Sequence, residues 1–345
     1  MNENAALWAE AGRLAAQGIP AALATVARQR GSLPMASDAK MLVTAAGRRD
    51  GTVGGGCVEA EVVHQALATL SAGTPSFARH TLNADVAGDI GLSCGGTVEL
   101  FLEPVLPSPE LARLYTTVAA GIEQRRKVTV LTGLQWNGGP KKGIQVDDER
   151  LVIGLSETAA DWGAFTERRA GEVLVDEERA VFVEWLHRVP RVIIFGAGHV
   201  GAAIARVASQ AGFTVLVTDD REEFANHEVV PDADEIIVGS FDQALDQITL
   251  DEDDYVLATT RGHSYDANVV ERTADSPARY VGMLGSKRKR VVIWKALAAA
   301  GVPEHALARV KTPIGLEIGA ETPAEIAVSV VADLIRTRRL SEVGQ

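Results

Sequence analysis

The chain has 345 residues, of which 46% are hydrophobic; single cores stop growing at roughly 250 to 300 residues, so two domains are expected. A net charge of -12 and acidic runs such as TDDREE and DEDD repel polyanions, which excludes nucleic acid and anionic membrane as natural partners. No apolar run approaches the ~20 residues of a membrane helix, and MNENAALWAEAGRLAAQG lacks the basic start and apolar core of a signal peptide, so a cytoplasmic protein is expected.

Leu7, Trp8, Ala11, Leu14 and Ala15 fall at helical spacing, and Gly18 followed by Pro20 ends that helix. AALATVARQRGS and AKMLVT read as strands, rich in Val, Leu and Thr and bounded by Gly, Pro and Ser. A second helix carries Val58, Val62, Ala66 and Leu70 on one face and stops at Gly73. TVELFLEPV and KVTVLTGLQ are further strands, with the Pro-started helix LPSPELARLYTTVAAGIEQ between them. WNGGPKKG reads as a turn, and ERLVIGL and AVFVEWLHRVP as strands. A boundary near residues 185–190 separates a domain of residues 1–188 from one of residues 189–345.

Beyond it, the short apolar strands RVIIFG, FTVLVTD, EIIVG, DYVLATT and RYVGMLG alternate with helical segments, which predicts a parallel sheet with helices on both faces. The final helix, TPAEIAVSVVADLIRTRR, starts at Thr322 with Pro323 in its first position and Glu325 in the capping-box position. The fold class is α/β: an N-terminal α/β domain with Gly-Cys loops, plus a C-terminal Rossmann-like doubly wound parallel sheet.

Gly196, Gly198 and Gly201 stand in GxGxxG spacing between a strand and a helix, with His199 inside the turn and Asp219 ending the next strand. In a dinucleotide site the glycines provide the tight turn, the backbone approach to a pyrophosphate and the close helix–strand packing, and the acid holds a ribose. Arg221 either takes a 2'-phosphate or lies in solvent. TTRGHSYD offers Arg261, His263 and Asp266 at the ligand edge of the sheet, and LGSKRKR offers Ser286 and Lys287 at a helix start. The basic run is either a phosphate site or a solvated face.

Cys57 and Cys94 are the two cysteines of the chain, too few for a disulfide scaffold or an all-cysteine zinc site. In GTVGGGCVEAEV the glycines Gly54, Gly55 and Gly56 can form an anion nest where a helix begins, and a helix start favours the thiolate of Cys57; the alternative is a buried cysteine after a turn. GLSCGG repeats the combination of a cysteine beside glycines at Cys94, and RGSLPMASDAKMLV, with Ser32 and Lys40, offers a third wall.

These segments resemble the XdhC/CoxI family of xanthine dehydrogenase accessory proteins. The resemblance rests on GSLPMASDAKMLV, GTVGGGCVEAE and GLSCGGTVELFLEP, then on VIIFGAGHVG, VTDDR, RGHSYD, YVGMLGSKRKR and TPIGLEIGAETPAEIAVSVVADLI. It implies a chaperone without turnover of its own that binds molybdenum cofactor (molybdopterin). Such a protein protects the cofactor while a cysteine desulfurase installs the terminal sulfido ligand, and passes it to a molybdenum hydroxylase of the xanthine dehydrogenase type. It also implies that Cys57 and Cys94 contact the cofactor and its metal, and that Gly54, Gly55 and Gly56 are the family's glycine loop. The Rossmann turn at Gly196, Gly198 and Gly201 then either holds NAD(P) or another nucleotide or docks the pterin. Many relatives read GSxPRxxGAKM where this chain has Met35 and Asp38; the missing arginine either puts a phosphate contact from that loop in doubt or marks a subgroup with a different client. The competing reading is an NAD(P)-dependent oxidoreductase acting on a small carbonyl or hydroxyl substrate, with His263 or Lys287 as acid or base, although no compact His/Asp or Tyr/Lys constellation announces hydride chemistry. A homodimer is the default assembly.

Overall fold

The structure is a computed structural model that describes residues 3–31, 39–54, 56–82, 96–165, 173–186 and 188–343. The chain forms two compact units, Met1–Arg188 and Val189–Gln345.

The first unit begins with α1 (Glu3–Ala16), β1 (Ala21–Gly31), β2 (Lys40–Thr44), β3 (Arg49–Gly51), α2 (Gly56–Ala72), β4 (Ser76–Leu82) and β5 (Gly96–Val105). These strands make one antiparallel sheet in the order β3-β2-β1-β5-β4. Strand alternation decides its two faces. Ala22, Ala24, Val26, Met41 and Val43 bury against Val58, Val62 and Ala66 of α2, and Leu23, Thr25, Lys40 and Glu103 are buried on the other side.

The chain continues through α3 (Pro109–Glu123), β6 (Val128–Gly133), β7 (Lys142–Val146), β8 (Glu149–Ile153), a 3-10 turn (Trp162–Phe165), β9 (Val173–Asp176) and β10 (Val181–Leu186). Ser108 caps α3 by accepting the Leu111 N–H at 3.3 Å, with Pro109 following the cap. The strands form a second antiparallel sheet, β8-β7-β6-β10-β9. The segment 136–143 is not all turn, because β7 starts at Lys142 and buries that side chain completely.

Four charges lie between the sheets. Lys40 pairs with Glu184 and also donates to Thr25 at 3.0 Å, and Lys142 pairs with Glu103. All four side chains are buried. Lys142 sits 5.2 Å from the ring centroids of both Trp8 and Tyr115, and Lys40 sits 5.6 Å from that of Trp8, so cation–π attraction supplements the ion pairs. Burial pushes the Glu103 carboxyl above its ordinary range, with Lys142 opposing that rise.

The second unit is doubly wound. Its strands are β11 (Arg191–Phe195), β12 (Thr214–Asp219), β13 (Glu235–Val238), β14 (Asp254–Ala258) and β15 (Tyr280–Met283), parallel in the order β13-β12-β11-β14-β15. Alternation again separates the faces. Val192, Ile194, Val215 and Val217 pack with α4 (His199–Gln210) and α9 (Pro323–Val343). Ile193, Phe195 and Leu216 pack with α5 (Phe241–Gln247), α6 (His263–Thr273), α7 (Lys287–Ala299) and α8 (Glu304–Arg309). Among the described residues no helix is long and apolar enough to cross a membrane.

Removing one member of a buried ion pair strands the other charge at a cost of about 3–5 kcal/mol. Lys142→Met therefore lowers the unfolding free energy by about that amount in urea titrations, and Lys142→Met with Glu103→Met recovers most of the loss.

Candidate functional site

Three connections leave the first sheet at the same end. Gly31, the last residue of β1, pairs with Gly96, the first of β5, and Gly96 pairs with Leu82, the last of β4. Gly51, the last residue of β3, pairs with Met41 near the start of β2. The links from β1 to β2, from β3 to α2 and from β4 to β5 therefore all emerge there. In the sequence Ser32 and Cys94 fall in the first and third of these links, and Cys57 follows the second as the second residue of α2.

Gly56 opens α2, a helix of 17 residues, and Cys57 is its second residue. Gly54 just before it has φ +120°, a conformation that favours glycine. Its N–H donates to Thr52 Oγ1 at 3.3 Å, and the Thr52 hydroxyl donates to Glu59 at 2.5 Å. Glu59 in the first turn also faces Arg49 at 3.7 Å, a favourable place for a carboxylate against the helix dipole. Sequence spacing alone gives no sign of this Thr52–Glu59 contact, since both residue types are common around a helix start. Ser32, Gly55 and Cys94, together with the side chain of Cys57, lie outside the described residues.

Lys40 does not wall this end. It alternates with Met41, so its side chain takes the face opposite α2 and is held by Glu184 and Thr25. Among the described residues no three His, Cys, Asp or Glu side chains gather as a ready-made metal site.

In the second unit, the strand order reverses between β11 and β14, the place where doubly wound sheets bind ligands. Gly196 has φ +113°, and a Cβ there would stand 2.6 Å from the Thr259 carbonyl oxygen. A Cβ on Gly201 would collide with the Gly196 carbonyl oxygen, whereas one on Gly198 would meet nothing within 4 Å. The first and third glycines therefore serve backbone packing, and Gly198 leaves the helix start open. Gly198 caps α4 without a side-chain bond, and His199 beside it is exposed.

Asp219 is buried, and its two oxygens are taken by protein donors. It accepts from Ala197 N at 2.9 Å, from Arg221 N at 3.1 Å and from the Arg221 guanidinium at 2.9 and 3.0 Å. Burial, the largest influence, raises its pKa, but the Arg221 and backbone donors outweigh it and hold the carboxyl below its ordinary value. Asp220 next to it pairs with Arg261 at 2.8 Å. Two guanidiniums, Arg221 stacked 3.8 Å from the Phe224 ring centroid and Arg261 5.4 Å from that of Tyr265, thus follow the strands on either side of β11.

His263 is exposed at the start of α6. Asp266 is fully buried and structural: it accepts from Thr260 N and Oγ1 and pairs with Lys289. Ser286 caps α7 by accepting from Lys289 N at 3.2 Å, and Lys287 is exposed at the first position of that helix.

An antiparallel α/β unit with a glycine-rich helix start, followed by a Rossmann unit with an arginine-flanked turn, defines a two-unit architecture. The model for the XdhC and CoxI family matches residues 14–82, and that for the XdhC Rossmann domain matches residues 192–334; the chain belongs to the XdhC and CoxI family. A protein of Bacillus subtilis (strain 168) named as a probable xanthine dehydrogenase subunit is 28% identical, over 92% of this chain and 93% of its own length. The molybdenum cofactor insertion chaperone PaoD of Escherichia coli (strain K12) is 23% identical, over 93% of this chain and 84% of its own. A crystal structure described as a xanthine dehydrogenase from Bacillus halodurans matches with a TM-score of 0.78 and 27% identity, over 99% of this chain and 96% of that one.

Asp219→Asn lowers stability by about 2 kcal/mol at neutral pH, the scale of a charge-assisted buried bond. Because the folded carboxyl titrates below the unfolded one, this contribution is present above the ordinary Asp value of about 3.9 and fades as the pH falls through the lower folded value. Urea titrations of both proteins from acid to neutral pH are expected to converge below about pH 4.

Proposed function

We propose that this chain binds molybdenum cofactor at the open end of its first sheet, supports sulfuration of that cofactor by a cysteine desulfurase, and delivers it to a molybdenum hydroxylase of the xanthine dehydrogenase type. The convergence of the three motif-bearing links on one end of one sheet carries this reading. Family membership and the name of the Escherichia coli relative, a molybdenum cofactor insertion chaperone, support it.

The chemistry at that end suits such a cargo. Cys57 in the first turn of α2 stands where the helix dipole favours thiolate over thiol, and a thiolate is a soft donor for a thiophilic metal. The start of α2 offers backbone N–H groups toward an anionic group. Cys94 is assigned the second thiol contact. In the Rossmann unit, the open helix start at Gly198, flanked in strand order by Arg221 and Arg261, suits a phosphate, either of a nucleotide or of the pterin itself.

The oxidoreductase reading needs an acid free to hold a ribose. Asp219 is spent on Ala197 and Arg221, which weighs against it.

Protein purified from cells that make molybdenum cofactor is expected to carry pterin and molybdenum in near-equal amounts, measured by fluorescence after oxidation and by elemental analysis. Cys57→Ala with Cys94→Ala is expected to fold and lose most of both; unchanged contents would remove the thiols from the site.

A further inference from the structure

The two sheets of the N-terminal unit correspond strand by strand. Each is preceded by a helix, its five strands follow in the same order, and a helical segment separates the third strand from the fourth. The ends of α1 and α3 carry the same three backbone bonds. In the first, Gln17 donates to Arg13, Gly18 to Ala15 and Ile19 to Leu14; in the second, Gln124 donates to Ala120, Arg125 to Ile122 and Arg126 to Gly121. Gly18 and Arg125 share a positive φ, +75° and +56°, which is uncommon for an arginine.

The register repeats as well. Thr25 faces Lys40 and Leu23 faces Glu103 in the first sheet; Thr132 faces Lys142 and Val130 faces Glu184 in the second. Trp8 precedes Leu23 by the interval at which Tyr115 precedes Val130. Val26 N donates to Ala39 O at 3.0 Å, and its counterpart Gly133 N donates to Lys141 O at 2.8 Å.

Contacts between the halves are reciprocal. Lys40 of the first pairs with Glu184 of the second, and Lys142 of the second pairs with Glu103 of the first. Equivalent residues meet each other: Trp8 lies 5.7 Å from Tyr115 between ring centroids, and Phe101 stacks on Phe182 at 4.3 Å. This is the signature of an isologous two-fold interface, in which i meets j and j meets i.

We infer that residues 3–105 and 109–186 are two copies of one unit, fused as an isologous pair, and that each copy supplies the glutamate that holds the other's second strand. Glu184 is thereby a positioning residue for β2, which follows the link bearing Ser32, and Glu103 is its counterpart for β7. Cysteines occur in the first copy alone; where that copy approaches α2, the second has Gly154, Leu155 and Ser156 after β8. The second copy therefore serves the cysteine end through Glu184, a role that rests on the function proposed above.

Hydrogen exchange followed by mass spectrometry on the full chain tests the exchange of charges. Glu184→Gln is expected to speed exchange in β1 and β2 by roughly tenfold or more while sparing β6 and β7. Glu103→Gln reverses that pattern, and Glu184→Asp serves if the amide variant does not fold. Loosening of both strand pairs alike, or only of the substituted strand, would overturn the reciprocal pairing. Folded Glu184→Gln is further expected to retain several-fold less pterin than folded Glu103→Gln, and equal retention would overturn the positioning role. Wild-type protein without pterin would instead overturn the cofactor reading, leaving the exchange result to decide the duplication.

Discussion

Two lysines and two glutamates buried between antiparallel sheets govern the N-terminal unit. An unpaired charge at Lys40 or Lys142 would cost several kcal/mol, so the sheets must meet in the register that gives each ammonium a carboxylate. A slip of one residue along β2 would turn Lys40 to the opposite face, among Ala24, Val62 and Val98, and would turn Met41 and Val43 away from it. The same requirement holds the start of β2 against β1. It thereby sets where the chain re-enters the sheet after the link bearing Ser32, at the end from which the links from β3 to α2 and from β4 to β5 also depart.

The Rossmann unit works under a different constraint. Gly196 and Gly201 are consumed by close backbone approach, and Asp219 ties the glycine turn to the end of β12 through Ala197. The fingerprint thus builds the turn, while Gly198 alone keeps the helix start open. Arg221 bridges the two acids, and Asp220 carries the network on to Arg261. Both guanidiniums beside the turn are thereby held in place against two carboxylates, which lowers the ordering cost of any further contact they make.

Much of this was legible in the residues. Period-2 and helical patterns located α1, α3, β1, β5, β10 and the alternation of the second unit, because each of those elements buries one face or is buried throughout. The glycine loop and both cysteines were legible as a pair of similar segments, although spacing alone could not show that the links bearing them share one end of a sheet; that followed from the pairing of Gly31, Gly96 and Leu82. Lys142 was not legible. A lysine after WNGGPK reads as solvated turn, and its burial depends on Glu103, far away in sequence. Glu184 inside AVFVEWL similarly reads as the polar face of a strand until Lys40 is found against it. Short strands such as β3 and β9 lack enough residues to display a period. Asp219 had the right position for a ribose contact, but the following arginine decides its role, and two adjacent charges give no hint of which partner each will take.

Molybdenum-edge X-ray absorption on cofactor-loaded wild type and on the single variant Cys57→Ala asks whether the Cys57 thiolate touches the metal. Wild type is expected to show a thiolate sulfur scatterer, additional to those of the cofactor's own dithiolene and terminal sulfido ligand, that disappears in the variant. Identical molybdenum environments in two folded, equally loaded proteins would contradict it and move the metal away from the start of α2.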